Sequence, residues 1–280
     1  MLRLRYRGDT TVPLEAECIS PDRLRGKTAA EVAAEMVFHG NRQVPLGEFF
    51  QIDGQADDGE IVVEGDCSRV KWMGAEMTAG RILIDGHAGM HLGSEMRGGV
   101  IEVLGDAGDW VGAEMRGGRI HVRGRAGHLV GAAYRGSRRG MRGGVILIEG
   151  AVGNEIGASM RRGLIAVGGD CGDFPGVSFV AGSIFLFGSV GWRPAAEMKR
   201  GTLALFGPCP PLLPSFRWAC DYRPVFIDLY LRQLRAWGFQ PAQQDFPGHF
   251  RRYCGDLVSL GKGEILHWTG GSASGRANLP

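Results

Sequence analysis

From residue 60 to residue 206 the chain carries short runs whose second and fourth members are aliphatic: Ile61/Val63, Ile82/Ile84, Ile101/Val103, Ile120/Val122, Ile146/Ile148, Ile165/Val167, Ile184/Leu186 and Leu203/Leu205. Alternation of period two with β-branched side chains predicts a strand with one face buried. Residues between the pairs, such as Glu102 and His121, are then expected to face water. Glycines bracket every run, one column at Gly80, Gly99, Gly118, Gly144, Gly163, Gly182 and Gly201, the other at Gly86, Gly105, Gly124, Gly150, Gly169, Gly188 and Gly207. Units begin at Gly74, Gly93, Gly112, Gly131, Gly157, Gly176 and Ala195, nineteen residues apart except for one longer unit, and Gly59 and Gly65 add an earlier unit in phase. A third column holds Met77, Met96, Met115, Met141, Met160, Phe179 and Met198.

A period near twenty residues, with one strand and sharp glycine turns per period, marks a solenoid whose repeats bury their apolar face only by stacking. The pattern predicts an all-β fold, a single-stranded parallel β-helix over residues 53–207, of about eight 19-residue coils. At roughly 4.8 Å per strand such a stack is about 35–40 Å long. Glycine columns mark corners, where the backbone needs φ > 0 or approaches the next coil closely. A leucine-rich horseshoe would show L-x-x-L-x-L, a left-handed hexapeptide helix would show a six-residue period, and propeller blades need twice the length. The uncharged stretch 174–192 has the length of a membrane span, but Gly176, Gly182, Gly188 and Gly191 keep the repeat's phase, so it reads as an apolar coil whose outer face, at Phe185 and Phe187, is covered by a neighbour.

Open solenoid ends need atypical caps. Residues 1–52 form a small α/β N-terminal cap: "LRLRY" is strand-like, and Thr28 with Glu31 makes a capping box opening a helix that stops near Gly40. Residues 208–280 form a helix-containing C-terminal extension, with Pro208, Pro210, Pro211 and Pro214 halting the repeat. In it, "RPVFIDLYLRQLRAWG" predicts an amphipathic helix with Pro224 near its start, Gly238 at its end, and Phe226, Tyr230, Leu234 and Trp237 on one face. The longer unit inserts "YRGSRRG" at 134–140. Insertions in solenoids map to one surface flank, so Arg135, Arg138 and Arg139 become candidate contacts for a partner or a polyanion.

Composition narrows the class. Glycine, 47 of 280 residues, follows no Gly-X-Y period and is architectural, and a net charge of +2 does not point to nucleic acid. The basic residues are almost all arginine, with lysine only at Lys27, Lys71, Lys199 and Lys262; arginine suits planar contacts with carboxylates. Cys18, Cys67, Cys171, Cys209, Cys220 and Cys254 show no C-x-x-C and read as reduced thiols, with no metal knuckle or disulfide framework. The start "MLRLRYRGDT" lacks the continuous apolar segment of a signal peptide, which points to the cytoplasm.

No catalytic constellation emerges. His87 and His91 are four apart but lie across a turn, where a helical metal pair fails. Glu76, Glu95, Glu114 and Glu197 form one column, and Arg97, Arg116, Arg142, Arg161 and Lys199 another two positions on; a charge ladder is the expected reading and a carboxylate pair the alternative. "GKGEIL" at 261–266 lacks a phosphate-loop frame, and no Gly-x-Ser-x-Gly elbow occurs. The expected sets are therefore no catalytic residue and no bound metal or cofactor in this chain.

The columns "GSEMRGGVIEVLG" (93–105) and "GAEMRGGRIHVRG" (112–124), with "LGEFFQIDG" (46–54) and "FRRYCGDLVSLGKGEIL" (250–266), resemble the C subunit of formylmethanofuran dehydrogenase along essentially the whole chain. The glycine repeat alone is shared with the β-helical domain of glutamate synthases. The resemblance implies a right-handed coil and one of two settings: a tungsten or molybdenum enzyme of methanogens, or the bacterial formyltransferase/hydrolase complex. The latter moves a formyl group from tetrahydromethanopterin to a methanofuran analogue and releases formate. Arginine- and alanine-rich composition and single-domain length favour the bacterial branch. There the family implies chemistry on an amidohydrolase-like A subunit with zinc and on a formyltransferase D subunit, alongside a B subunit, and a scaffolding role for this chain. It also suggests that Arg135, Arg138 and Arg139 guide a polyglutamate cofactor tail. An independent β-helix enzyme of the lyase kind would show acidic metal-binding clusters and a secretory signal, and a glutamate synthase-like domain would sit beside amidotransferase and flavin-binding regions.

Overall fold

A computed structural model describes residues 1–8, 10–55 and 57–270. The N-terminal segment supplies β1 (Leu2–Tyr6), β2 (Leu14–Glu15), α1 (Pro21–Leu24), α2 (Ala29–Ala33), β3 (Met36–His39), β4 (Arg42–Pro45) and β5 (Phe50–Gly54). The repeat supplies β6 (Glu60–Glu64), β7 (Val70–Lys71), β8 (Arg81–Asp85), β9 (Val100–Val103), β10 (Arg119–Val122), β11 (Arg142–Ile148), β12 (Arg162–Val167), β13 (Ser183–Leu186) and β14 (Arg200–Leu205). The C-terminal segment adds β15 (Arg217–Tyr222), α3 (Val225–Ala236), β16 (Phe250–Gly255) and β17 (Lys262–Trp268).

Strands β6, β8, β9, β10, β11, β12, β13 and β14 follow one another in parallel across the main sheet. Their register sets like on like: Ile82 pairs with Ile101, Ile101 with Ile120, Ile120 with Ile146 and Ile146 with Ile165. On the coil's second wall the ladder shrinks to single bridges, Cys67 to Ala88 to Ala107 to Ala126. This is the parallel β-helix that the nineteen-residue period predicts. Inside it the aliphatic pairs and the whole methionine column are buried, Met77, Met115 and Met198 among them at 0% exposure. The flexible thioether fills the tapering space that identical coils leave between their corners.

The two glycine columns exist for different reasons. Gly118 sits at φ +84°, in the left-handed region that L-residues with a Cβ adopt at a cost. Gly124 does not; a Cβ there would lie 2.7 Å from the carbonyl oxygen of Gly105 in the preceding coil. The first column turns the chain and also admits the preceding coil, a Cβ at Gly118 lying 2.9 Å from the Gly99 carbonyl oxygen; the second chiefly lets neighbouring coils close to sheet spacing.

At the first end β1 lies parallel to β6 and antiparallel to β5, so "LRLRY" joins the main sheet. The Thr28–Glu31 capping box forms: Thr28 Oγ1 accepts from Glu31 N at 3.3 Å, and Glu31 Oε2 accepts from Thr28 N at 2.8 Å. The helix it opens is shorter than expected, ending at Ala33 rather than near Gly40. Residues "MVFH" instead form β3 and turn at Gly40, φ +63°, into β4, the aromatic and β-branched residues favouring a strand once helix α2 has delivered them to its edge. At the far end β17 adds in parallel to β14, and β16 and β15 follow antiparallel.

The covered outer face predicted at Phe185 and Phe187 is covered by this chain itself. Helix α3 packs across Leu147, Leu164, Ala166, Phe185 and Ala204. Its buried line is Ile227, Leu231 and Leu234, so the helix is rotated from the predicted face; Phe226, Tyr230 and Trp237 lie half-buried at the flanks. Phe246 reaches over Phe187 and Phe206, and Phe187 stacks on Phe206 with centroids 4.4 Å apart.

Candidate functional site

His87 and His91 are employed separately. His87 Nδ1 accepts the amide of Asp106 one coil on, at 2.9 Å. The same reach recurs around this corner: Asp106 Oδ1 accepts from Arg125 N, Asp109 Oδ1 from His128 N, Asn154 Oδ1 from Asp173 N and Asp173 Oδ1 from Trp192 N. Each side chain satisfies a backbone amide of the next coil that no carbonyl reaches. Strict nineteen-residue phase places an Asp or Asn there repeatedly, a signal present in the sequence beside the glycine columns. Among the described residues no group of three His, Cys, Asp or Glu side chains is placed to hold a metal ion.

The acidic and basic columns meet in a single ion pair among the described residues, Arg116 to Glu95 at 2.6 Å. Two other carboxylates of the column accept hydrogen bonds instead, Glu114 from Tyr134 N and Glu197 from the Ser178 hydroxyl. Glu76, Glu95, Glu114 and Glu197 all sit at positive φ, as do Trp72, His91, Trp110 and Leu129 two residues before the unit glycines. The coils thus bend through alternate left-handed residues, of which at most one is glycine; at Arg193, Ala195 and Glu197 none is. Non-glycine residues persist in that region only where surrounding structure over-determines them.

That bend carries the most concentrated aromatic feature of the surface. Trp72 stacks on His91 with ring centroids 4.2 Å apart and planes 8° from parallel, and Trp110 follows at 6.1 Å. Tyr134, the first residue of the inserted loop, lies over Trp110 at 4.8 Å. Its hydroxyl lies 2.6 Å from Ser94 Oγ and 2.9 Å from His91 Nδ1. Burial, reinforced by the Lys71 charge, pushes His91 down to about 4, so the ring is neutral at pH 7; burial raises the Tyr134 phenol to about 12. The loop is tied at this root, while Arg135, Arg138 and Arg139 extend into solvent without an ion pair among the described residues.

On the outer face of the sheet, residues read as solvent-facing form a network instead. His121, only 3% exposed, lies with Nε2 2.8 Å from Glu149 Oε1. Arg123 bridges Glu149, at 3.3 Å, and Glu102, at 2.9 Å, and Arg81 reaches Glu102 at 3.1 Å. Burial works against ionisation of Glu102, but hydrogen bonds from Arg123 and Arg81 outweigh it and hold the carboxyl below its usual range. Glu149 also accepts from Gln240 N, at 3.0 Å, fastening the segment that follows α3. Alternation alone puts His121 in water; the returning C-terminal segment covers it, with Phe239 centred 6.4 Å away.

Fold and surface together define the class: a single-stranded parallel β-helix protein, helix-covered on one face, whose developed features are stacked side chains and arginines. No family model matches the chain. It is similar to the C subunit of the molybdenum-containing formylmethanofuran dehydrogenase 1 of Methanothermobacter marburgensis, 44% identical over 87 residues, 31% of this chain and 22% of that protein. The C subunit of the tungsten-containing formylmethanofuran dehydrogenase 2 of Methanothermobacter thermautotrophicus is 41% identical over 85 residues, 29% of this chain and 32% of that protein. The aligned stretch thus spans under a third of these curated relatives. Among solved structures, a chain of the formyltransferase/hydrolase complex from Methylorubrum extorquens, crystallised with methylofuran, superposes with a TM-score of 0.85 and 34% identity, over 95% of this chain and 98% of that one. The chain belongs to the family of formylmethanofuran dehydrogenase C subunits and their counterpart in the formyltransferase/hydrolase complex.

Proposed function

We propose that this chain is the non-catalytic structural component of a cytoplasmic formyltransferase/hydrolase complex. In that reading it holds together an amidohydrolase-like, zinc-dependent A subunit, a B subunit and a formyltransferase D subunit. The complex then moves a formyl group from tetrahydromethanopterin to a methanofuran analogue and releases formate. The observation that carries this is the match in fold and sequence, over nearly the full length of both chains, to a component of the Methylorubrum complex. It is supported by the structural employment of His87 and Glu114 in hydrogen bonds to backbone amides and of His91 in a ring stack. No helix among the described residues is long and apolar enough to cross a membrane.

Arg135, Arg138 and Arg139 are read as contacts for an anionic cofactor tail, since guanidinium groups on an anchored loop attract multiple carboxylates. Affinity-tagging the chain in its native host and weighing what co-purifies tests the whole reading. Recovery of the hydrolytic, B and formyltransferase subunits with formate release supports it, and recovery of a lone active monomer overturns it.

A further inference from the structure

Between α3 and the ends of the coils lies an open cavity of about 540 Å³. Its floor and wall are largely apolar: Val145 and Leu164 from the sheet, Leu229 and Tyr230 from the helix and Trp237 at its end, with Gln233 the one uncharged amide side chain among them. Leu229 is 60% exposed on a helix whose Ile227, Leu231 and Leu234 are buried; Val225, its first residue, is exposed as well, at 69%. A cavity of this size takes one or two large apolar side chains.

Its rim is cationic, and the charge is uncompensated. Arg161 and Arg162 line the mouth. Arg142 lies in register beside Arg162 on the adjoining parallel strand, and the Arg119 guanidinium sits 5.7 Å from the centre of the Trp237 ring. Among the described residues none of these four makes an ion pair, and the Nε atoms of Arg119 and Arg142 are buried without an acceptor. Elsewhere on the same sheet Arg81 and Arg123 are fully engaged by Glu102 and Glu149. Like charges directly opposite one another on neighbouring strands destabilise a sheet. The positive run continues past the cavity, where Arg200 lies in register with Lys262, neither of them ion-paired among the described residues. From β10, which carries Arg119, to β17, which carries Lys262, the sheet advances five strands, roughly 24 Å at about 4.8 Å each.

We propose that this groove is the docking site for an acidic polypeptide segment of a partner protein in the complex. The segment inserts one large apolar side chain between Leu229, Tyr230 and Trp237 and lays Asp or Glu carboxylates on Arg119, Arg142, Arg161 and Arg162. The span of the basic run corresponds to about seven extended residues at about 3.4 Å each, longer than a single small anion. The apolar cavity selects against a purely anionic chain, which has nothing to place there. Arginine and aromatic residues converging on one pocket are the composition of an interface hot spot, which a docked partner would desolvate. The inference rests on the reading of the chain as one component of a complex and adds which face is used and what chemistry meets it.

The test is site-directed photocrosslinking in the intact purified complex. Leu229→benzoylphenylalanine is compared with the same replacement at exposed Glu17, and the cross-linked peptide is sequenced. The proposal expects a cross-link from position 229 alone, to a partner segment carrying several Asp or Glu and a large apolar residue. A complex that assembles but gives no cross-link at 229 above the Glu17 level, or one that joins 229 to the cofactor tail or to a neutral segment, overturns this inference and leaves the proposed place of the chain in the complex standing. As a second measurement, Arg161→Glu with Arg162→Glu should lower the salt concentration that strips the chain from the complex by about twofold or more, at an unchanged melting temperature of the isolated chain. An unchanged salt threshold counts against the proposal.

Discussion

The hydroxyl of Tyr134 stands 2.6 Å from Ser94 Oγ, joining the root of the seven-residue insertion to a coil forty residues earlier in the chain. The contact turns an insertion of flexible composition into a loop with a fixed base. Tyr134→Phe keeps the ring on Trp110 and removes only the bonds to Ser94 and His91, a loss of about 1 kcal/mol; Tyr134→Ala also removes the stack and should cost about 3 kcal/mol. Denaturant midpoints of the isolated chain check both, and limited proteolysis at Arg135, Arg138 and Arg139 should accelerate in the alanine variant alone.

His91 gives the fold an acid sensitivity with a defined sign. Well above pH 6.5 the ring is neutral in folded and unfolded chains alike. As pH falls from there toward about 4, the unfolded chain binds a proton that the folded stack refuses, so stability drops across that window. His91→Asn, a residue that tolerates the observed φ of +63°, should lower stability at pH 7 by loss of stacking yet flatten its slope between pH 6.5 and 4. Urea titrations at stepped pH measure the slope, and an unaltered slope contradicts the assignment.

Alternation, period and glycine phase make the stack legible in the sequence, because inside and outside are enforced identically at Ile82, Ile101 and Ile120. They do not reveal that His121 is covered, since its cover comes from Phe239 and Gln240, more than a hundred residues away. Separation along the chain, here about forty to fifty residues, also hides the partner of Phe185, which is α3 of this chain. The buried helix face differs from the predicted one because Phe226 and Trp237 are the bulkiest residues, whereas Ile227 and Leu231 fit the shallow sheet surface better. The arginines are visible as a composition; which of them lacks a carboxylate is not, because pairing is decided between strands.

The two glycine columns should respond differently to substitution. Gly118→Ala meets a left-handed backbone, the flexible Met96 side chain and the Gly99 carbonyl oxygen at 2.9 Å, a cost of about 3 kcal/mol or more. Gly124→Ala drives a Cβ into the Gly105 carbonyl and forces neighbouring coils apart, a cost of about 3 kcal/mol or more. Gly118→Asn should recover part of the loss at the first site, while no residue larger than glycine does so at the second; thermal midpoints of the series decide.

Glu149 holds His121, Arg123 and Gln240 at once. Glu149→Ala leaves His121 and Gln240 N without this acceptor under the C-terminal cover, Arg123 keeping Glu102, and should cost about 2–3 kcal/mol. Hydrogen exchange should show the loss first at residues 238–243, with the interior strands still protected.

The central claim is that this chain organises formyl transfer and hydrolysis without performing either. The most direct measurement is formate release from formyl-tetrahydromethanopterin by the three purified partners, by this chain alone, and by all four together. The account predicts no release by this chain alone and coupled turnover restored when it is added to the other three. Formate release by the isolated chain, or coupled turnover by the three partners undiminished in its absence, contradicts it.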